Sequence, residues 1–247
     1  MDRTIFFSEI RADLFGGRMN GKQVAGCEAV LDAWDRHAPN SDLRFVAYSL
    51  ATDYHETGRT MQPIDERGGA AYFTRMYDIR GARPAKAREL GNIHPGDGAA
   101  YHGRGDTQLT GRRNYRFATA RLRALGVIGA DVDLEKNPEL AKRPDIAAAI
   151  LVFGMLEGWF TTRKLGDYFV GTRSDPIDAR AIINGSDCAT KISGYYAHFY
   201  HGLKVAYGLT APDAAPAAPA KVARKKAAAP KVSRTVVKAA GKRRRVA

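Results

Sequence analysis

The chain has 247 residues, a hydrophobic content of 45% and a net charge of +13. These values suit one sizeable globular domain with a basic extension, and they exclude a short module that depends on disulfides. No run of about 18 apolar residues is present, so the sequence predicts no transmembrane helix. Charged residues interrupt the apolar stretch near the N-terminus, which is not the pattern of a secretory signal.

Apolar residues at helical spacing predict helices over 22–34, 41–56, 112–125, 145–160, 175–185 and 191–203. Ser41 is the predicted cap of the second helix, and Gly58 is its predicted stop signal just beyond Glu56. The 145–160 segment is the most apolar of them and is predicted to be the central buried helix. Residues 59–105 are rich in Gly, Pro and Arg, and we expect loops there with a short hairpin and short helices.

A change in composition divides the chain into residues 1–209, predicted to be one domain, and residues 210–247, predicted to be a disordered tail. Residues 211–247 contain eleven Lys and Arg against one acid, Asp213, so most of the net charge lies there. The tail has almost no large apolar side chains and cannot bury enough surface to offset the entropy of ordering.

The sequence offers little chemistry for metals or disulfides. The two cysteines, Cys27 and Cys188, stand in no Cys-x-x-Cys pattern, and we expect two buried free thiols. The six histidines form no cluster with ligand spacing. We therefore expect no metal ion and no cofactor.

Three carboxylates around the end of the second predicted helix are candidates for acid–base chemistry. Hydrolysis of a glycosidic bond usually needs one protonated carboxyl group and one ionised carboxylate. Glu56 suits the role of the acid, while Asp65 and Glu66 follow it by nine and ten residues. Spacing alone does not choose between these two, and exposed carboxylates with no catalytic role have the same pattern.

The 101–115 segment, Tyr-His-Gly-Arg-Gly-Asp-Thr-Gln-Leu-Thr-Gly-Arg-Arg-Asn-Tyr, is a glycine-punctuated loop with polar side chains. Gln108, Thr110 and Asn114 offer the amide and hydroxyl groups that N-acetyl sugars require. The alternative is a Gly-rich turn into a helix that Thr110 caps. The segment has no third glycine at 108 and no preceding strand, which disfavours a dinucleotide site, and position 59 lacks the second His of a zinc-protease helix.

The 55–58 segment (His-Glu-Thr-Gly) and the 103–115 motif together resemble glycoside hydrolase family 19, which contains chitinases and peptidoglycan-cleaving endolysins. The resemblance extends to residues 137–140, 158–160 and 182–185, and it spans about residues 20–205. It implies a mainly α, lysozyme-like, bilobed domain with a catalytic cleft and a small loop or β-hairpin region.

The resemblance also implies roles for individual residues. Glu56 matches the general acid, Asp65 stands where the family has its second carboxylate, and Thr110 matches the hydroxyl that helps to hold the attacking water. Asp65 departs from the Glu of many chitinases, so Glu66 stays a reserve candidate for the base. The residues expected to contact the sugar chain are His55, Tyr101, Arg104, Gln108, Asn114, Tyr115 and Asn184. For Asn184, a helix C-cap before Gly185 is the structural alternative.

The resulting prediction is an endolysin of the muramidase or lysozyme type that hydrolyses β-1,4 bonds of peptidoglycan with inversion. Asp106 and Thr107 replace the Pro and aliphatic residue usual in chitinases, which favours this interpretation. A chitinase is the alternative from the same family. A catalytically inactive protein that binds polyanions is the alternative from another class.

The basic tail and the composition predict the partners and the place of action. Besides peptidoglycan strands, we expect the tail to contact lipopolysaccharide or other polyanions, since clustered cations bind such surfaces without sequence specificity. We expect a monomer that is made in the bacterial cytoplasm and acts at the cell wall after release.

Overall fold

A computed structural model describes residues 1–210 of the chain. The predicted disordered tail lies outside the described residues apart from its first residue. Within the described part the fold is mainly α, with two small two-stranded sheets, which confirms the predicted class. The α-helices are α1 (Arg3–Phe15), α2 (Gly21–His37), α3 (Leu43–Glu56), α4 (Ala70–Tyr77), α5 (Pro84–Glu89), α6 (Asp97–Ala100), α7 (Arg112–Ala124), α8 (Pro144–Glu157) and α9 (Ala189–Ala206).

The strands and 3-10 helices are short. Strand β1 (Ile64–Asp65) pairs antiparallel with β2 (Arg104–Gly105), and β3 (Phe169–Val170) pairs antiparallel with β4 (Arg173–Ser174). The 3-10 helices span Pro138–Lys142, Leu165–Asp167 and Asp178–Ile182. The β1–β2 pair is not the expected local hairpin, because it joins the two ends of the 59–105 region. The local hairpin is β3–β4, outside that region.

Most predicted helices are present, with differences at their ends and one omission. The cap of α3 is Asp42 rather than Ser41, and its carboxylate accepts a hydrogen bond from the Arg44 N–H at 2.9 Å. The helix predicted over 175–185 is only a 3-10 turn. Helix α1 was not predicted, because Glu9 and Arg11 mask its apolar face of Phe6, Ile10 and Leu14.

The hydrophobic core lies between α1, α2, α3, α8 and α9. Helix α8 is its centre, as predicted, with an uninterrupted buried run from Ile146 to Met155. Helix α9 packs on both α1 and α3. A second, smaller cluster contains Phe73, Tyr77 and Leu90 and belongs to the α4–α6 region. The two clusters agree with the bilobed arrangement that the sequence predicted.

The cysteines differ from expectation at one position. Both are free, but Cys27 is buried in the core while Cys188 is exposed at the start of α9. No helix within residues 1–210 has the length and apolar character to cross a membrane.

Candidate active site

Glu56 is the last residue of α3 and its side chain is mostly buried, with 12% of it exposed. Its Oε1 accepts a hydrogen bond from Nη1 of Arg180 at 2.7 Å, in an ion pair whose guanidinium is only 4% exposed. Arg180 is itself fixed, because its Nε donates to the backbone carbonyl of Asp187 at 2.9 Å. A buried cation that is anchored at two of its nitrogens therefore holds the Glu56 carboxyl group in one orientation.

The turn that follows Glu56 is fixed against α2. Thr57 Oγ1 donates to the Asp53 carbonyl at 2.7 Å and accepts the Met61 N–H at 3.0 Å. A Cβ atom at Gly26 of α2 would stand 1.5 Å from the Met61 carbonyl oxygen, so only glycine allows this approach. These contacts fix the backbone of the segment between Glu56 and β1.

Asp65 and Glu66 have different surroundings, because successive side chains of an extended segment point to opposite sides. The Asp65 carboxylate is 44% exposed and contacts Lys142 Nζ at 2.6 Å, His102 Nε2 at 3.2 Å and Arg104 Nε at 3.4 Å. Partial burial acts to raise the pKa of Asp65, but the hydrogen bonds from Lys142 and His102 and the charge of Arg104 together hold it below its ordinary value. The Asp65 carboxylate is therefore already bound by three cationic or hydrogen-bond donor groups.

Glu66 points to the other side, towards the glycine loop. Its Oε1 accepts a hydrogen bond from Tyr77 Oη at 2.7 Å, and its Oε2 accepts one from the Gly103 N–H at 3.2 Å. Burial and the bond to Glu66 both raise the pKa of Tyr77, so its hydroxyl stays a donor. A Cβ at Gly103 would lie 3.0 Å from Gln108 Oε1, 3.1 Å from Thr110 Oγ1 and 3.2 Å from Glu66 Oε2. Three polar oxygens therefore converge where Gly103 has no side chain.

The loop itself is held in shape by the side chain of Gln108. This residue has a φ of 55°, a conformation that is rare for a residue other than glycine and that clusters at functional sites. Its Nε2 donates to the carbonyls of Ile64 and Gly105 at 3.1 and 3.2 Å. Thr110 Oγ1 donates to the Gln108 carbonyl at 2.8 Å, which leaves its lone pairs able to accept a hydrogen bond. Thr110 is not the cap of α7, because that position belongs to Gly111.

Four of the residues expected to contact sugar are buried: Tyr101, Arg104, Asn114 and Tyr115. Tyr115 Oη donates to the His102 carbonyl at 2.9 Å, and Asn114 Nδ2 donates to the Thr110 carbonyl at 2.6 Å. These bonds support the loop, and contact of the four residues with a substrate stays a prediction. The 101–115 motif is therefore largely a scaffold for Gln108 and Thr110.

His55 and Asn184 are half-buried and lie on the side of Glu56 that α9 and the Asp178–Ile182 turn approach. The His55 ring lies 6.5 Å from that of Tyr195 in α9. Burial lowers the pKa of His55 and, together with the charge of Arg180, outweighs the opposing effect of Glu56, so we expect a neutral imidazole near pH 7. Both positions remain compatible with a contact to substrate.

Several residues of the site were not predicted. Arg180 lies just before the 182–185 motif and Lys142 just after the 137–140 motif, but neither is part of its motif, and Tyr77 lies in a segment with no motif. They could be found only by knowing which helix ends meet in space. Within the described residues, no group of three or more His, Cys, Asp and Glu side chains is placed to hold a metal ion.

No protein-family model matches the chain, and no curated protein matches its sequence. Chitinases of glycoside hydrolase family 19 are among the solved structures similar to it. Chitinase C from Streptomyces griseus is 21% identical over 82% of this chain and 76% of its own, with a TM-score of 0.47. A bacterial family 19 chitinase is 22% identical over 79% and 93%, with a TM-score of 0.45. A class IV chitinase of the family from Zea mays is 19% identical over 83% and 92%, with a TM-score of 0.49.

These structures belong to the family that the 55–58 and 103–115 segments resemble. Their sequence identities to this chain are low and their TM-scores stay below 0.5, so they do not determine what this chain acts on.

Proposed function

We propose that this protein is a glycoside hydrolase that cleaves β-1,4-linked glycan by acid–base catalysis, with Glu56 as the acid. The observation that supports this most directly is the contrast between two carboxyl groups. Glu56 is nearly buried and anchored by Arg180, whereas Glu66 is held by neutral donors beside Thr110 and Gln108. Two carboxyls in different environments are what hydrolysis of a glycosidic bond requires.

We take the role of Glu56 from the family resemblance, and the surroundings of the second carboxyl support the role of Glu66. Glu56 would donate a proton to the bridging oxygen, with Arg180 fixing the direction of that donation. Glu66 would take a proton from the attacking water, because its Oε2 lies in the cluster with Thr110 Oγ1 and Gln108 Oε1, which can accept hydrogen bonds from that water. Asp65, which the sequence favoured as the base, is already bound to Lys142, His102 and Arg104. We therefore assign the base to the reserve candidate Glu66.

Peptidoglycan is the substrate that we propose for this site, with cleavage of the muramidase type. The support comes from the sequence. Residues 211–247 carry eleven Lys and Arg against one acid, which suits an enzyme that works on polyanionic cell envelopes. We expect action at the cell wall after release from the cytoplasm where the protein is made.

Mass spectrometry of fragments released from purified peptidoglycan, with borohydride reduction and a parallel chitin-oligomer digest, tests this function. Reducible N-acetylmuramic acid ends are the expected result. Reducible N-acetylglucosamine ends would keep the lytic role but change the bond. Cleavage of chitin alone would replace the proposal by a chitinase, and cleavage of neither would leave a binding protein.

Removal of residues 211–247 is expected to lower lysis of intact Gram-negative cells by about tenfold more than cleavage of purified peptidoglycan. The reason is that clustered cations contribute affinity for phosphate-rich surfaces, and that contribution falls as salt rises. Lysis rates of both substrates should be compared at two salt concentrations. A chain with the tail's Lys and Arg changed to Gln is the matched control, and equal losses on both substrates would refute a role in envelope binding.

A further inference from the structure

Two aspartates beside the site are buried and have carboxyl oxygens that find no hydrogen-bond partner among residues 1–210. Asp53 of α3 is 1% exposed, and neither of its carboxyl oxygens has a hydrogen-bond partner. Asp106 of the glycine loop is 4% exposed, and its Oδ1 also has none. Buried carboxylates are normally hydrogen-bonded or paired with a cation, so this arrangement needs an explanation.

Protonation of the two aspartates would remove the cost of burying an ionised carboxylate that has no partner. Burial raises the pKa of both groups, and the negative charges of Asp106 and Glu56 raise the pKa of Asp53 further. Two carboxylates in one dry region cannot both ionise at neutral pH, whereas a carboxyl group that keeps its proton can donate a hydrogen bond. The titratable groups that raise the pKa of Asp53 are both carboxyls, Asp106 from the loop and Glu56 from one turn further along α3, and each does so when it ionises.

The remaining titratable neighbours do not compensate this charge. Cys27 of α2 lies within reach of Asp53, but burial raises the pKa of its thiol and keeps it neutral. Arg180 is bound to Glu56 rather than to either aspartate. Lys191 and Asp187, at the start of α9, act on His55.

We propose that Asp53 and Asp106 are a positioning pair, which joins α3 to the glycine loop while protonated and drives them apart when it ionises. Helix α3 and the glycine loop carry the catalytic candidates, whose relative positions must be kept for the reaction. Helix α3 ends in Glu56, and the loop carries Gln108 and Thr110. The consequence for catalysis rests on the proposed function, whereas the pair itself does not.

The sign of the pH dependence follows from the raised pKa values. An unfolded aspartate has a pKa of about 3.9, whereas burial raises the pKa of Asp106 to about 7. The stability that protonation contributes is complete below the unfolded pKa and is lost as pH rises through the folded pKa. The Tm of the full chain should therefore fall between about pH 4 and pH 7 because of this pair.

The test is the Tm of the full chain against pH, for the native protein and for Asp53→Asn with Asp106→Asn together. The amides have nearly the same shape but do not titrate. We expect the Tm of the double variant not to fall between about pH 4 and pH 7. At pH 8 its Tm should be higher than that of the native protein by roughly 5–10 °C. Two parallel curves would overturn the proposal, since a merely structural role would shift the Tm equally at every pH.

Asp78→Asn is the matched control. Asp78 is also buried, but backbone N–H groups of Arg80, Gly96 and Gly98 outweigh the effect of burial and lower its pKa. Its stabilisation is present above the unfolded pKa and is lost as pH falls, so this variant should lose Tm mainly at neutral pH.

Infrared spectroscopy supplies a second readout that does not depend on folding changes. The native protein should show a carbonyl band of protonated carboxylic acid near pH 6 that persists in Glu56→Gln and is reduced in Asp53→Asn with Asp106→Asn. Absence of that band in the native protein would overturn the proposal even if the variant failed to fold. If the native protein shows both the fall of Tm with pH and the infrared band but cleaves no glycan, the proposal of the pair stands and only the proposed function is contradicted.

Discussion

Glu56→Gln is expected to lower kcat/KM on peptidoglycan by about 10³-fold, because general acid catalysis contributes roughly 10²–10⁴-fold and an amide cannot supply the proton. The fold should survive the change. Glutamine has the same shape as glutamate, and its Oε1 can still accept the bond that Arg180 donates to Glu56 Oε1 at 2.7 Å. The measurement is the initial rate of reducing-end release, together with Tm and circular dichroism.

Glu157→Gln is the matched control for this variant. Glu157 is another glutamate at the end of a helix, with Arg121 and the Trp159 Nε1–H as its partners, and it contacts none of the candidate catalytic groups. We expect it to keep activity within about twofold, since surface ion pairs contribute less than about 1 kcal/mol to stability. Near-native activity of Glu56→Gln itself would refute the acid assignment.

The helical framework could be predicted from the sequence because it depends on local signals. The apolar spacing of α2, α3, α8 and α9 survives in the structure, and the position of Glu56 at the end of α3 follows from that spacing. Helix α1 was not predicted, although Phe6, Ile10 and Leu14 follow helical spacing, because Glu9 and Arg11 interrupt the apolar stretch that contains them.

The surroundings of the catalytic groups could not be predicted, because they depend on contacts between distant segments. Arg180 is 124 residues from Glu56, and Lys142 is 77 residues from Asp65. The choice between Asp65 and Glu66 depends on strand register. Asp65 pairs with Arg104, and a shift of one residue would exchange the sides on which the two carboxylates lie.

The sequence indicated which polar residues the 101–115 loop contains, but not which of their side chains are buried. Gln108 and Thr110 are placed beside Glu66, but Asn114 and Tyr115 are buried beneath them. A polar residue in a motif can bind a ligand or can hold the loop that binds it, and sequence alone does not separate these roles. Burial separates them here.

Glu66→Gln is expected to lower kcat/KM by about 10²–10³-fold, whereas Asp65→Asn should lower it by less than about tenfold. The reason is the different engagement of the two carboxylates. Glu66 is held by Tyr77 and Gly103 with its Oε2 beside Thr110, while Asp65 is neutralised by Lys142 and bonded to His102. Loss of the Asp65 charge should mainly loosen the contact between β1 and the Pro138–Lys142 turn.

The pH dependence of the two variants separates a chemical effect from a structural one. The activity of Glu66→Gln should remain low at every pH, because no base is left to ionise. Asp65→Asn should keep the shape of the native pH profile with a lower Tm, since the Asp65–Lys142 contact at 2.6 Å is lost. The reverse pattern, with Asp65→Asn inactive and Glu66→Gln active, would return the base to Asp65. In that case Lys142 would have to release Asp65 when the substrate binds.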